Sequence, residues 1–204
     1  MAKKWYLALV LAMPVVFSLP ALAAGAEGGQ RDDRTEVFGS FGYGRLLHGS
    51  HSLGSGMDLG GGFGIRPFRG KWDRLGLEGS FQQLRFDSAR GTVNSSDGTA
   101  STVSGNLLLH FGRSRVRFFV TGGVGVLWAD YLSSNPYARS PNGPPIPAEQ
   151  IRGTQFAFNL GAGVKWRLVR GLALRPEFRM FDTTPGAGYN WTAVRFWCGL
   201  AYHF

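Results

Sequence analysis

The chain has 204 residues, enough for one domain of ordinary size, and its single cysteine, Cys198, excludes an intramolecular disulfide bond. Only 17% of the residues are charged, whereas glycine (31 residues) and phenylalanine (16 residues) are abundant. The formal net charge is +9, but the arginines are scattered singly along the chain, which argues against a nucleic-acid-binding protein.

The first 23 residues have the features of a secretory signal peptide. Lys3 and Lys4 form a basic start, residues 5–17 form an apolar core, and Ala21-Leu22-Ala23 supplies a cleavage site. We place the cleavage after Ala23, with Ala24-Gly25-Ala26 as the second option. Beyond this segment, no uncharged apolar run approaches the roughly 18–20 residues of a membrane-spanning helix. A membrane protein with this sequence would therefore cross the bilayer as β-strands.

Eight segments after the signal peptide alternate between apolar residues and small or polar residues, which is the period of a β-strand. We predict a leader at residues 24–35 and one domain at 36–204. The predicted strands are 36–46, 53–66, 74–86, 101–111, 116–130, 154–168, 172–181 and 190–204. An even number of strands of about 10–15 residues predicts an all-β, eight-stranded, antiparallel up-and-down transmembrane barrel.

The sixth predicted strand shows the alternation most clearly. One face carries Phe156, Phe158, Leu160, Val164 and Trp166, and the other carries Gln155, Asn159, Gly161, Gly163, Lys165 and Arg167. In the second strand, Leu53 belongs to the apolar face. In the first strand, Phe38 falls on the polar face, against the pattern, and we expect Glu36 to lie near water.

Charged residues share the face opposite the aliphatic residues on several strands. They are Asp58, Glu78, Lys165, Arg175, Glu177, Arg179 and Arg195. So many charges cannot lie in the dry core of a soluble barrel, so we predict that the polar face lines the lumen and that the apolar face meets lipid. We expect these seven residues to form a packed ion network that fixes the strand register, with a gated pore as the alternative.

The connections after the second, fourth and sixth strands are short, whereas two of those after odd strands are long. This asymmetry is typical of outer-membrane barrels, which have short periplasmic turns and longer external loops. The longest connection, 132–152, contains five prolines, and we predict that it is unpaired and external. Arg139 and Arg152 would then be open to trypsin added to intact cells.

Aromatic residues near both ends of the strands predict two interfacial girdles. The external girdle would contain Trp128, Tyr131 and Tyr189, and the periplasmic girdle Phe68, Trp72, Trp166, Tyr202 and Phe204. Trp197 points inward in this pattern, where Phe119 and Phe181 would narrow the lumen further.

Taken together, these features resemble the OmpA-like family of small outer-membrane β-barrels. The resemblance rests on the signal peptide, the eight segments, the stretch Gly161-Ala162-Gly163-Val164-Lys165-Trp166, the stretch Arg175-Pro176-Glu177-Phe178-Arg179 and the terminal Tyr202-His203-Phe204. It implies location in the bacterial outer membrane and assembly through periplasmic chaperones and the barrel-assembly machinery. The alternating end of the chain, Phe204 with Tyr202 and Leu200, resembles the assembly signal of such barrels. The resemblance covers only the barrel domain of that family, so we expect no anchoring role of the kind that depends on the family's peptidoglycan-binding domain.

We therefore expect a monomeric barrel with a structural or surface-interaction role, exerted by external loops on an unidentified extracellular ligand. Lipopolysaccharide is the expected anionic partner, since removal of Lys3 and Lys4 still leaves a net charge of +7. No catalytic residue, cofactor or metal site is predicted. The alternatives are a small or gated channel and a lipid A-modifying hydrolase. The latter rests on the His48-Gly49-Ser50 triplet, which resembles that of lipid A deacylases but lies elsewhere in the chain.

Overall fold

A computed structural model describes residues 34–49, 51–68, 70–87, 98–112, 115–133, 149–169, 171–183 and 190–204. The predicted signal peptide, most of the leader, Ser50, Arg139 and Tyr189 lie outside these ranges. The strands are β1 (Thr35–His48), β2 (His51–Ile65), β3 (Leu75–Asp87), β4 (Gly98–Phe111), β5 (Val116–Ser133), β6 (Glu149–Val169), β7 (Leu172–Thr183) and β8 (Trp191–His203). A single turn of 3₁₀ helix, Gly70–Trp72, lies between β2 and β3.

Each strand pairs antiparallel with its neighbour in sequence, and β8 pairs with β1 to close the sheet. The closing register places Glu36 opposite His203, Phe41 opposite Cys198 and His48 opposite Trp191. The prediction of a closed, eight-stranded antiparallel barrel is confirmed. Closure leaves no free sheet edge along the seam between the first and last strands, as a sheet in lipid requires.

The barrel has two ends, which we name by what they carry. The loop end carries the connections after β1, β3, β5 and β7, and the terminal end carries Thr35 and Phe204. At the loop end, His48 of β1 pairs with His51 of β2, and Gly49, which follows His48, has a φ of 56°. At the terminal end, Gly171 has a φ of 81° between β6 and β7. Glycine adopts this left-handed conformation without steric cost, so both hairpins can be tight.

The outer surface is apolar, as the alternation predicted. Its most exposed large side chains include Phe41, Tyr43, Met57, Leu107, Phe118, Phe158, Leu160, Phe196 and Leu200. Their neighbours in sequence are mostly buried, which is the period-two pattern of a sheet with different surroundings on its two faces. Within the described residues, no helix is long and apolar enough to cross a membrane.

Leu53 is buried rather than lipid-facing, contrary to the prediction. The pairing of β1 with β2 shifts at this point, because Leu46 lies opposite Gly54 whereas Leu47 lies opposite Ser52. Leu53 is therefore the extra residue of a β-bulge, and such a bulge changes the direction of its side chain. The sequence pattern alone does not reveal this shift.

Two further predictions about the loop end are wrong. Tyr131 does not belong to an interfacial girdle but is 2% exposed and packs inside the barrel. The predicted loop 132–152 is paired backbone at both of its ends, where Leu132 lies opposite Gln150 and Asp130 opposite Arg152. Strands β5 and β6 are thus longer than the alternation indicated. The alternation stops where apolar side chains end, but the backbone pairing continues through residues with polar side chains. The five prolines of this segment lie outside the described residues.

The remaining girdle aromatics are at the surface in the described part of the chain. Trp128, Phe68, Trp72, Trp166 and Phe204 are all exposed, and Tyr202 is partly buried. Trp197, Phe119 and Phe181 point inward and are buried, as the alternation predicted.

The lumen is divided into two layers. The loop half is filled by an apolar cluster that includes Leu46, Leu53, Leu84, Phe86, Leu127, Tyr131, Phe181, Trp191 and Trp197. The terminal half holds buried charged residues. The interior of an eight-stranded barrel is just wide enough for side chains to fill it. Inward side chains therefore fill the lumen in both layers.

Candidate functional site

Arg175 is the centre of the charged layer. It lies on the inward face of β7, in accordance with the alternating burial of that strand, and is fully buried. Its Nη2 donates to Glu78 Oε2 at 2.5 Å and to Glu177 Oε2 at 2.8 Å, and its Nη1 donates to Glu36 Oε1 at 3.1 Å. Three carboxylates from three strands (β1, β3 and β7) therefore meet at one guanidinium, whose planar fork suits several such bonds at once.

Arg179 binds two of the same carboxylates from the other side. Its Nη2 donates to Glu78 Oε1 at 2.9 Å, and its Nε donates to Glu177 Oε1 at 2.8 Å. Arg179 Nη2 also makes a short contact with Glu177 Oε1. Its Nη1 donates to Ser80 Oγ at 3.3 Å. Both oxygens of Glu78 and both oxygens of Glu177 are thus occupied by arginine donors.

Glu36 belongs to this network, although the sequence analysis expected it near water. It is 5% exposed, and its Oε1 accepts a hydrogen bond from Lys165 Nζ at 2.5 Å as well as one from Arg175. His203 Nε2 lies 3.5 Å from Glu36 Oε2. The expectation is wrong because a position near the start of a strand does not by itself bring a side chain into contact with water. The inward parity of Glu36, shared with Ser40 and the inward glycines of β1, was the signal that could have found it.

Asp58 and Arg195 form a separate pair. Arg195 Nη1 donates to Asp58 Oδ1 at 3.2 Å, and Arg195 Nη2 donates to the carbonyl oxygen of Ala100 at 3.3 Å. The guanidinium carbon of Arg195 lies 5.2 Å from the centre of the Phe181 ring. This pair therefore lies where the charged layer meets the apolar cluster.

Aromatic rings surround the arginines of the network. The guanidinium carbon of Arg175 lies 4.0 Å from the centre of the Phe38 ring and 4.9 Å from that of Phe119, and Arg179 lies 5.4 Å from the Trp197 ring. Cations are attracted to aromatic faces, and more strongly where water is excluded. The position of Phe38 on the polar face, which broke the sequence pattern, is explained by this contact.

A line of neutral polar groups continues the network along β4 and β6. Asn106 Nδ2 lies 3.3 Å from Glu78 Oε1 and 3.2 Å from Ser80 Oγ, and Asn159 Nδ2 donates to Asn106 Oδ1 at 2.8 Å. These side chains supply donors that the carboxylates and hydroxyls can use, so the polar layer is cross-linked across several strands.

The charges within the layer are balanced. Glu36, Glu78 and Glu177 face Lys165, Arg175 and Arg179, and Asp58 faces Arg195. The structure thus brings six of these side chains into one network and places two in a separate pair. Buried ion pairs contribute little net stability, but removal of one partner leaves an uncompensated buried charge. Such an arrangement can specify the strand register, because a shift of one strand would separate the ion pairs and leave buried charges without a partner.

A closed sheet that is apolar outside and charged inside defines a transmembrane β-barrel. The family model described as "Outer membrane protein beta-barrel domain" matches residues 9–204 of this chain. The chain belongs to this family and is located in the bacterial outer membrane, as the resemblance implied.

Solved structures with the same fold agree with this assignment. Neisserial surface protein A (NspA) is 12% identical and superposes with a TM-score of 0.62 over 83% of this chain and 97% of that chain. A major outer membrane protein from Thermus thermophilus is 15% identical (TM-score 0.53; 83% and 99% covered). Ail, the attachment invasion locus protein of Yersinia pestis, is 15% identical (TM-score 0.51; 84% and 99% covered). At such identities the likeness shows the fold alone. A search among curated proteins found no match.

Proposed function

We propose that this protein is a non-conducting, non-enzymatic outer-membrane barrel with a structural or surface-interaction role, exerted by its loop end. The observation that carries the proposal is the filled lumen. The ion network and the apolar cluster lie one above the other along the barrel axis, and the side chains of Trp191, Arg175 and Arg179 are fully buried within them.

Little room is left around the charged layer. Two cavities at the terminal end, both lined by His110, Lys165 and His203, have volumes of about 20 and 10 Å³. A cavity of that size holds about one water molecule. Because the two layers lie one above the other, a hydrated ion would have to displace both the arginine network and the apolar cluster in order to pass.

The loop end, by contrast, offers an extended element. β6 begins at Glu149, eight residues before Ala157, where its pairing with β7 starts. Along this stretch β6 pairs with β5 up to Ser133. At about 3.3 Å per residue, β6 reaches roughly 25 Å beyond the point where its pairing with β7 starts, whereas β5 continues only two residues beyond Tyr131, the last residue that pairs with β4. The paired ends of β5 and β6 lead directly into the segment 134–148, and we assign the contact with a partner to this segment.

Conductance across planar lipid bilayers tests the filled lumen. We expect the purified, folded protein to give no unit conductance above the protein-free bilayer, with a general porin as the positive control. Steady unit currents from the folded barrel would instead establish the channel alternative.

Adhesion tests the surface role. Cells that express the wild-type protein should adhere to an immobilised extracellular-matrix panel more strongly than cells whose segment 134–148 is replaced by a short turn. Heat-modifiable migration in gels should be the same for both proteins, because the eight strands remain. Equal adhesion with both barrels folded would contradict the surface role. A change in lipid A acylation on deletion of the protein would contradict the non-enzymatic role.

A further inference from the structure

The mouth of the lumen at the terminal end is strongly basic. One cavity there is lined by Arg66, Arg115, Arg117, Lys165, Arg167 and the two histidines His110 and His203. The adjoining cavity adds Arg34 and Glu36. Among the described residues that line these two cavities, Glu36 is the one carboxylate, so the formal charge of the mouth is strongly positive.

The strand register brings these cations close together. Arg117 on β5 lies directly opposite Lys165 on β6, on the inward face of the sheet. The amide N of Arg167 donates to the carbonyl oxygen of Arg115 at 2.8 Å, so their backbones are also adjacent. Like charges placed directly opposite each other across a sheet are destabilising. Glu36, which is bonded to Lys165 Nζ, offsets part of this repulsion, and an anion bound beside Arg117 would offset the remainder.

The mouth differs from the layer beneath it. In the network, three carboxylates face three cations, whereas cationic residues outnumber carboxylates among the described residues that line the mouth. Lys165 is 7% exposed and forms the floor between the two regions, with its Nζ bonded to Glu36. The arginines above it are exposed or partly exposed, so their guanidinium groups remain accessible from the aqueous end of the barrel.

We propose that this mouth is a binding site for a phosphate-bearing anion. Arginine presents donors in a planar fork that matches phosphate oxygens, and a mouth lined by one sign of charge concentrates the opposite ion. The cavity volume of about 20 Å³ admits little more than a water molecule. The phosphate group therefore lies across the mouth and contacts the guanidinium groups of Arg66, Arg115 and Arg117. These side chains line the cavity at the mouth of the lumen, which favours a water-soluble ligand over a lipid head group.

Isothermal titration calorimetry with inorganic pyrophosphate tests the site. The full barrel is folded in a zwitterionic detergent at low salt, and the wild type is compared with the double variant Arg115→Gln/Arg117→Gln. We expect the variant to bind about tenfold to a hundredfold more weakly, because it lacks two charge-assisted contacts. Arg66→Gln, on the opposite side of the mouth, should also weaken binding.

The matched control removes the same charge from the loop end. Arg45→Gln/Arg152→Gln replaces two exposed arginines and leaves the mouth intact. It should bind pyrophosphate as the wild type does. An equal loss in both double variants would show a general charge effect, and no binding by the wild type below millimolar concentration would also overturn the proposal.

A further arm identifies the source of the phosphate. Micelles doped with an anionic phospholipid should leave pyrophosphate binding unchanged if the natural ligand is soluble. Competition by the doped micelles, absent with a neutral phospholipid, would assign the phosphate to a head group and overturn the soluble ligand.

Discussion

At the scale of single residues, Glu177 shows how the interior depends on complete partners. Its two oxygens accept hydrogen bonds from Arg175 and Arg179, and all three side chains are excluded from solvent. Glu36 likewise forms ion pairs with two buried cations, Lys165 and Arg175. Each carboxylate matters less for the energy of its own bonds than for the cations that it neutralises.

Replacement of Glu177 by alanine should therefore lower the free energy of unfolding by about 3–5 kcal/mol, since two buried guanidinium groups lose a counterion. Glu36→Ala should also be strongly destabilising, in contrast to its expected place near water. Asp182→Ala is the matched control on β7, because Asp182 is exposed and accepts a hydrogen bond from the exposed hydroxyl of Thr192. Urea unfolding in detergent measures all three. Equal midpoints for Glu177→Ala and Asp182→Ala would show that the network is solvated.

At the scale of elements, β8 is the strand on which closure depends. It pairs with β7 on one side and with β1 on the other, and its outward residues Phe196 and Leu200, like Phe204 just beyond it, are exposed to the lipid side. Its inward residues include Arg195, Trp197 and Trp191, which are all buried. One strand thus contributes to the lipid surface, the ion pair and the apolar cluster.

Replacement of Phe204 by aspartate should block assembly in the outer membrane and leave the chain with periplasmic chaperones. The expectation follows from the resemblance of this terminal strand to an assembly signal. Phe204→Tyr, which keeps an aromatic ring, should assemble normally. The amount of folded, heat-modifiable barrel in outer-membrane fractions is the measurement. Normal amounts of Phe204→Asp barrel would contradict the idea that Phe204 is part of the signal.

At the scale of the whole molecule, the predicted periplasmic position of the terminal end would place the loop end outside the cell. Within the segment 132–152, the two ends are paired backbone, at 132–133 and 149–152. Arg152 lies in paired backbone, and its Nε lies 3.1 Å from Asp130 Oδ2. Proteases cut where backbone is not held in a sheet, so Arg152 should resist cleavage.

Trypsin added to intact cells should therefore cut at Arg139 and not at Arg152. The barrel should survive the cut, because all eight strands stay paired. Arg139→Gln should abolish this cleavage, and mass spectrometry of the fragments identifies the site. Cleavage that requires prior rupture of the outer membrane would show that the topology is inverted or that the segment is hidden.

The sequence by itself determined the number of strands, the two faces of the sheet and seven of the eight charged residues that the structure buries in the interior, the eighth being Glu36. Alternation with a period of two is a local property, and lipid on one side and a narrow lumen on the other give each face a different composition. The sequence also marked the inward aromatics Phe119, Phe181 and Trp197, because their parity is unambiguous.

Only the tertiary structure decided which residues meet. The bulge at Leu53, the buried place of Tyr131 and the extension of β5 and β6 depend on cross-strand pairing, which alternation within one strand does not report. The same holds for the ion pairs. Glu36 and Lys165 are 129 residues apart in sequence, yet Glu36 Oε1 lies 2.5 Å from Lys165 Nζ, because the closed barrel brings the inward side chains of β1 and β6 together in one lumen. A contact of this kind is set by register and closure, which are properties of the whole sheet.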